Sequence, residues 1–455
     1  MDAATERALR DALGDALRTD PADRLAYGYD NSRREAMPDA VALPSSHDEV
    51  VAIVRACRTS RTPVVARGRG TNTTGATVPV AGGVVVSFER MNRIVALEPD
   101  DRLAVVEPGV LNGDLQRTLA TVGFFWPPDP TSADYATIGG NLGCNAGGPR
   151  AVKYGTCREN VLGLVAVTGT GETIRTGGRT TKGAVGYDLT RLLVGAEGTL
   201  ALITEATLKL TPRATAVATL RALYVDVGAA ARAVARIMAQ PATPCALEFM
   251  DGEAVRLARE IGGADIPAAG ALLMIEVDGD PASLDASVEA VAAAARGEGM
   301  VQLGMTRDAA EAGKLWAARK ALSPALRTIA PNKINEDVVV PVSRVPELVA
   351  GVEAISRESG IAIVNFGHAG NGNIHVNLLY RDDDAQAKAN APAALSRVFD
   401  LVIALGGTLS GEHGIGIDKR AFMPRAIDPP TLALMRAIKA QFDPDGILNP
   451  GKLLP

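Results

Sequence analysis

The chain has 455 residues, 47% hydrophobic and 22% charged, with a formal net charge of −5. That length is too great for one compact core and predicts two or three domains of ordinary globular composition. Interspersed charge leaves no basic stripe for nucleic acid, no run reaches the roughly 18–20 apolar residues of a membrane span, and the start lacks the pattern of a secretory leader. A cytoplasmic protein is expected, with peripheral docking on the inner membrane face left open.

The first half reads as helix at about 3–18, then a helix after Ser46, with Glu49 three residues on as a capping box. Strands follow at Pro63–Ala66, Gly83–Phe88, Ile94–Glu98 and Leu103–Glu107, then a Gly/Asn-rich coil over residues 137–150. A hairpin at Val161–Thr168 and Glu172–Arg175 and a strand at Leu200–Leu210 close this half. Thr211-Pro212-Arg213 reads as a domain junction.

Beyond it, strands at Ala218–Val225, Leu272–Val277, Val338–Pro341, Ile361–Asn365 and Ile374–Tyr380 alternate with helices. The helices are Ala229–Met238, Ala282–Arg296, Arg307–Ala330, Pro346–Glu358 and Ala385–Ala404. That pattern predicts an α+β domain with helices covering an antiparallel sheet. A last helix at about 429–442 leads to Asn449-Pro450-Gly451-Lys452. Cys57, Cys144, Cys157 and Cys245 form no CxxC, so reduced thiols are expected rather than a zinc ribbon or iron–sulfur cluster.

The chain has 47 glycines, concentrated in a few segments. Gly169-Thr170-Gly171 joins strand to strand, so the dinucleotide fingerprint of a nicotinamide domain fails, and no P-loop is present. Arg67-Gly68-Arg69-Gly70-Thr71-Asn72-Thr73-Thr74-Gly75 still suits a phosphate cradle, because amides at Gly-permitted angles form an anion nest. A second segment, Thr137 to Gly148, adds amides and Asn side chains for a polar ring edge. Two such segments favour a large dinucleotide.

Three of the four histidines fall in two short Gly-rich stretches, Gly367–Asn377 and Gly411–Gly414. His368, His375 and Glu412 form a candidate metal set beside a candidate base, His413. If 374–380 is a strand, His375 and Asn377 share one face, and a hairpin brings His368 near. Two imidazoles and one carboxylate with open positions suit zinc, manganese or iron(II).

Taken together, Arg67-Gly68-x-Gly70-Thr71, Pro127-Pro128-Asp129-Pro130, Thr137-Ile138-Gly139-Gly140-Asn141, Tyr154-Gly155, Gly186-Tyr187-Asp188-Leu189, Gly195-Ala196-Glu197-Gly198-Thr199-Leu200 and Asn449-Pro450-Gly451-Lys452 resemble the FAD-linked oxidases. That is the vanillyl-alcohol-oxidase (PCMH-type) FAD fold, in its D-lactate, D-2-hydroxyglutarate and glycolate dehydrogenase branch. The resemblance runs from about residue 25 to 452.

It implies a FAD-binding domain over 1–212, an α+β substrate or cap domain over 213–424, and a C-terminal segment, 425–455, packing back on the first. It implies FAD held by Arg67, Gly68, Arg69, Gly70, Thr71, Asn72 and Gly75 at the pyrophosphate. Pro128, Asp129, Ser132, Thr137, Gly139, Gly140, Asn141, Asn145, Gly147, Tyr154, Glu197, Gly198, Ile203 and Asn449 would surround the rest. The first loop holds no His, which argues for non-covalent FAD.

In the same branch, positions matching His368, His375 and Glu412 are metal ligands and the one matching His413 is the base. Asn377 and Arg319 match substrate-carboxylate contacts. Ser323 stands where lactate- and glycolate-type relatives carry an aromatic, which leaves room for a longer acid. Lys333 could meet a distal carboxylate, although the family's lysine position here is Asn335.

The chemistry expected is oxidation of a D-2-hydroxy acid to the 2-keto acid, D-2-hydroxyglutarate before D-lactate or glycolate. Hydride leaves Cα for the flavin, with a carbanion path as the alternative. A quinone, an electron-transfer flavoprotein or a cytochrome would take the electrons, and a homodimer is the family's expectation. The rival classes are a metal hydrolase and a non-catalytic flavoprotein.

Overall fold

A computed structural model describes residues 1–455. The chain divides into two compact units. The first comprises Met1–Gly148, Gly155–Arg213 and Glu412–Pro455, the second Pro149–Tyr154 and Ala214–Gly411. The first boundary falls at the junction read from Thr211-Pro212-Arg213. The chain rejoins the first unit at Glu412. Short bonds explain this, since Ile417 N donates to Thr74 O (2.8 Å). Pro149–Tyr154 joins the second unit because Lys153 Nζ and Tyr154 Oη donate to the two carboxylate oxygens of Asp278 (2.6 and 2.7 Å).

In the first unit, the helix foreseen after Ser46 spans His47–Thr59. Ser46 Oγ accepts from Glu49 N (3.3 Å), and the Glu49 carboxylate accepts from Ser45 N (2.6 Å). Val50, Ile53, Val54 and Cys57 return to one face at helical spacing and are buried. Beside it lies a four-stranded sheet in the order Leu17–Arg18, Ala40–Ala42, Val84–Ser87, Val64–Arg67. Its Ala40–Ala42 and Val64–Arg67 strands both run parallel to Val84–Ser87. A second, antiparallel sheet orders Ile94–Glu98, Leu103–Val106, Ala201–Lys209, Val161–Thr168 and Thr173–Gly177. Its core holds Trp126, fully buried, with the indole N–H on Asn160 O (2.9 Å).

The expected coil over 137–150 is in part a helix, Ile138–Cys144, capped by Thr137 Oγ1 on Gly140 N (3.1 Å). Three glycines in seven residues conceal it, because glycine is a poor helix former. One of them is needed for close approach. A Cβ at Gly139 would stand 2.6 Å from Pro108 Cβ and 2.9 Å from its carbonyl oxygen.

The second unit is built on a seven-stranded sheet. Its strands are β1 (Ala216–Tyr224), β2 (Ala246–Asp251), β3 (Ala271–Gly279), β4 (Met300–Thr306), β5 (Asn332–Val339), β6 (Ala362–Gly367) and β7 (Asn373–Tyr380). The order is β4-β1-β3-β2-β6-β7-β5, antiparallel throughout. The helices are α1 (Val227–Ala239), α2 (Gly252–Glu260), α3 (Pro281–Ala295), α4 (Ala309–Ala325), α5 (Val345–Ser359) and α6 (Ala385–Ala404).

Strand alternation sorts the two faces. Leu223, Met250, Leu272, Met274, Val364 and Phe366 pack on α2 and α4. Tyr224 points the other way, where its hydroxyl donates to Ala295 O at the end of α3 (2.9 Å), and α1, α3 and α5 pack there. β2, β4 and α2 were not read from the sequence. In β2, Glu248 and Asp251 interrupt an apolar run, yet all six residues are buried. No helix is long and apolar enough to cross a membrane.

Candidate functional site

The α2/α4 face of the sheet turns polar at its β2-β6-β7-β5 side. In the β5–β7 register, Lys333, Asn335 and Asp337 stand opposite Leu379, Asn377 and His375. Directly opposed residues share a face, so these side chains form one row. His368 follows β6 by one residue and opens the turn to β7. The hairpin sets the two imidazoles edge to face, ring centroids 5.1 Å apart, with His368 Nε2 and His375 Nε2 separated by 3.5 Å. Two nitrogens each about 2.1 Å from one tetrahedral ion stand about 3.4 Å apart. The pair therefore fits a shared metal ion.

Glu248, which sequence reasoning passed over, organises this corner from β2. Its Oε1 pairs with His368 Nδ1 (2.6 Å) and its Oε2 with an Arg319 amino group (2.8 Å). Burial acts to raise its carboxyl pKa, but the His368 and Arg319 charges outweigh burial and hold it below the ordinary value. Bonding at His368 Nδ1 leaves Nε2 to face His375, the arrangement that orients metal-ligating imidazoles. A buried acid inside an apolar strand was the only signal in the sequence.

Helix α4 is fixed to the sheet at three points along one side. Trp316 Nε1 donates to Glu276 (2.6 Å), Arg319 pairs with Glu248, and Ser323 Oγ accepts from Lys333 Nζ (2.7 Å). Arg319 lies 4.7 Å over the Phe366 ring, and its Nε is buried without a partner. Lys333, two residues from Asn335, keeps the same face, since strand side chains repeat every second residue.

Asn377 differs from expectation. Its amide nitrogen donates to Val364 O and His375 O (3.1 Å each), so the buried atom left without a partner is the oxygen. It presents an acceptor, which suits a hydroxyl and not a carboxylate. Asp337, opposite His375, accepts from Ser410 Oγ (3.0 Å) and Gly411 N (2.9 Å). Gly411 is peptide-bonded to Glu412.

In the first unit, the two Gly-rich segments approach each other. A Cβ at Gly68 would collide with Thr137 Oγ1, and one at Gly148 would reach Asp129 (2.5 Å). Gly70, Gly75 and Gly198 adopt positive φ (68°, 78° and 69°). Arg69 and Gly140 are exposed, while Thr71, Ser132 and Ile203 are half-buried. Thr73 Oγ1 is buried with no partner, an orphaned hydroxyl in the loop read as a phosphate cradle. The segments thus fit a cofactor approached mainly by backbone.

Most of the polar side chains assigned to that cofactor have protein partners instead. The Arg67 guanidinium turns to Tyr29 O and Ala26 O (2.7 and 3.3 Å), and burial lowers its pKa against the opposing pull of Asp30. Asn141 accepts from Asn112, Asn145 from Thr156 and Arg158 N, and Asn449 donates to Ala76 O and Glu197 O. Tyr154 lies in the second unit on Asp278. Pro128 O accepts from Asn112, and Asp129 N donates to Gly147 O.

The loop carrying His413 belongs to the same unit. Its carbonyl accepts from Asn72 Nδ2 (2.9 Å), and Glu197 accepts from Ile415 N and Gly416 N (2.6 and 2.8 Å). Burial pushes the Glu197 carboxyl up to about 7, against those two amides and the Lys419 and Lys452 charges.

A family profile described as "FAD linked oxidases, C-terminal domain" matches residues 212–453, and one described as "FAD binding domain" matches 38–177. The chain belongs to the FAD-linked oxidase family. This FAD-linked oxidase is 39% identical over 434 residues to the glycolate oxidase subunit GlcD of Bacillus subtilis, covering 95% of this chain and 92% of that one. It is 35% identical over 451 residues to the D-2-hydroxyglutarate dehydrogenase of Stutzerimonas stutzeri, covering 96% and 95%. A structure of p-cresol methylhydroxylase with substrate bound shares the fold, with a TM-score of 0.82 at 16% identity, over 98% and 96% of the two chains. The family is the oxidoreductase branch whose members are named glycolate oxidase, D-lactate dehydrogenase and D-2-hydroxyglutarate dehydrogenase. Membership sets aside the metal hydrolase and the non-catalytic flavoprotein.

Proposed function

We propose that this chain oxidises a D-2-hydroxy acid to the 2-keto acid with non-covalent FAD, and that D-2-hydroxyglutarate is its preferred substrate. His368, His375 and Glu412, the residue next to Gly411, would hold a divalent ion, zinc before manganese or iron(II). The observation that carries the reading is the row of groups around Glu248, with two facing imidazoles and an arginine that has an unused buried donor. Bound FAD supplies the two-electron acceptor, and a bound metal supplies a Lewis acid for the hydroxyl and C1 carboxylate.

The chain's own residues bind and move the proton. Arg319 offers Nε to a carboxylate. Asn377 Oδ1 accepts from a hydroxyl. His413 takes the hydroxyl proton as hydride leaves Cα. Lys333 and Ser323, four residues beyond Arg319 on α4, add a second cation and a hydroxyl. Two cations suit a dicarboxylate, which favours the hydroxyglutarate reading. An external quinone, flavoprotein or cytochrome would accept the electrons from a homodimer. A shorter acid is the second reading, supported by the 39% identity to a glycolate oxidase subunit; there Lys333 would have no carboxylate to meet.

Anaerobic mixing of the yellow protein with D- and L-2-hydroxy acids tests this. Fast bleaching of the flavin by D-2-hydroxyglutarate, with slow bleaching by D-lactate and glycolate, is expected. Preference for the short acids rejects the pocket reading, and no bleaching by any acid rejects the reaction.

A further inference from the structure

We propose that Asn72 and Glu197 are positioning residues for His413, holding the backbone at its carbonyl and just after it rather than contacting FAD. The inference rests on the reading of His413 as the base. The Asn72 side chain is saturated by the protein. Its oxygen accepts from Thr74 N (2.8 Å), Thr74 Oγ1 (2.9 Å) and Ala76 N (3.1 Å), while its nitrogen donates to His413 O (2.9 Å) and Cys144 Sγ (3.4 Å). Asn72 thus ties the conformation of the phosphate-cradle loop to the peptide of the base.

Glu197 holds the stretch that follows. Each of its carboxylate oxygens takes one amide, from Ile415 and from Gly416, and its own backbone is at φ 52°. Its carbonyl accepts from Asn449 Nδ2 (2.6 Å), which fixes the residue from behind. The loop is moulded to this grip. A Cβ at Gly414, where φ is 84°, would stand 2.6 Å from Glu197 Oε1, and one at Gly416 would collide with Thr74 O. The imidazole therefore rides on a short backbone span clamped at its own carbonyl and two residues later. A base displaced by about 1 Å can cost on the order of 100-fold in rate.

The test compares Glu197→Gln, Asn72→Asp and His413→Ala, singly and as the Glu197→Gln/His413→Ala double variant. The substrate is the D-2-hydroxy acid that bleaches the wild-type flavin fastest. Flavin content, substrate dissociation constant and reduction rate per bound flavin are measured. Glu197→Gln sets an N–H against an amide N–H, and Asn72→Asp sets a carboxylate oxygen against the His413 carbonyl. Each is expected to slow reduction by roughly 10- to 100-fold with dissociation constant and flavin content within about twofold, and Glu197→Gln should add nothing to His413→Ala. Unchanged reduction in both single variants, or a loss explained by lost flavin, overturns the proposal while leaving an inactive His413→Ala intact as evidence for the base. Wild-type reduction in His413→Ala overturns both.

Discussion

Glu197 in the first unit and Glu248 in the second are both buried, yet their carboxyl groups are driven in opposite directions. Burial pushes Glu197 up to about 7, outweighing the two backbone amides on its oxygens and the charges of Lys419 and Lys452. Glu248 feels the same burial and is held below the ordinary value, because an imidazole and a guanidinium lie against its two oxygens. Burial alone therefore does not tell what an acid does. Amide partners mark a residue that fixes backbone, and charged partners mark one that aligns side chains with chemistry of their own.

The largest effect that would break this contrast lies at Glu248. Glu248→Gln leaves Arg319 a buried charge without its counter-ion, and such a loss costs about 3–5 kcal/mol. Chemical denaturation should show it and, on the proposed metal reading, zinc affinity measured by competition with a chelator should fall roughly 10- to 100-fold as a neutral amide replaces the carboxylate at His368 Nδ1. Stability and zinc affinity near wild type would show that the ion pairs are incidental.

The next is the pH dependence of stability. Glu197 has a folded pKa above its unfolded value, so its contribution is full below about 4.5 and is lost as pH rises through about 7. The size is on the order of 3 kcal/mol, from about 1.4 kcal/mol per pKa unit. Unfolding free energy measured from pH 5 to 8 should decline, and Glu197→Gln should flatten that decline. Glu248, with a lowered folded pKa, has the opposite sign and loses its contribution on acidification. An unchanged slope in Glu197→Gln would remove the contrast.

The smallest effect is one of selectivity. Lys333→Met should weaken binding of D-2-hydroxyglutarate by about 10-fold, the worth of one charged hydrogen bond of ~1.5 kcal/mol, and leave D-lactate nearly unchanged. Equal losses for both acids, read from flavin reduction, would detach Lys333 from acid length.

Much of the architecture was legible because its signals are local. Ser46 and Glu49 marked a helix start, and the alternating strands around His375 marked a sheet with one polar face. What escaped was tertiary. Ile138–Cys144 is a helix despite its glycines, because only glycine fits against Pro108. β2 was invisible because its acids make sense only once His368, Arg319 and Asn365 surround them. The site was legible as residue types and not as orientations. Asn377 and Asn72 were read as polar groups of the site, but that Asn377 keeps an unpartnered oxygen while Asn72 is saturated depends on neighbours far away in sequence.

The lysine on β5 carries one more consequence. Side chains recur on one face of a strand every second residue, about 6.8 Å apart. Position 333 is therefore the nearest place to which a cation at 335 can migrate, in that direction, without being thrown to the far side of the sheet. The strand works as a graduated rail. On the proposed reading of Lys333, sliding the charge by one graduation would lengthen the space that an acid must span.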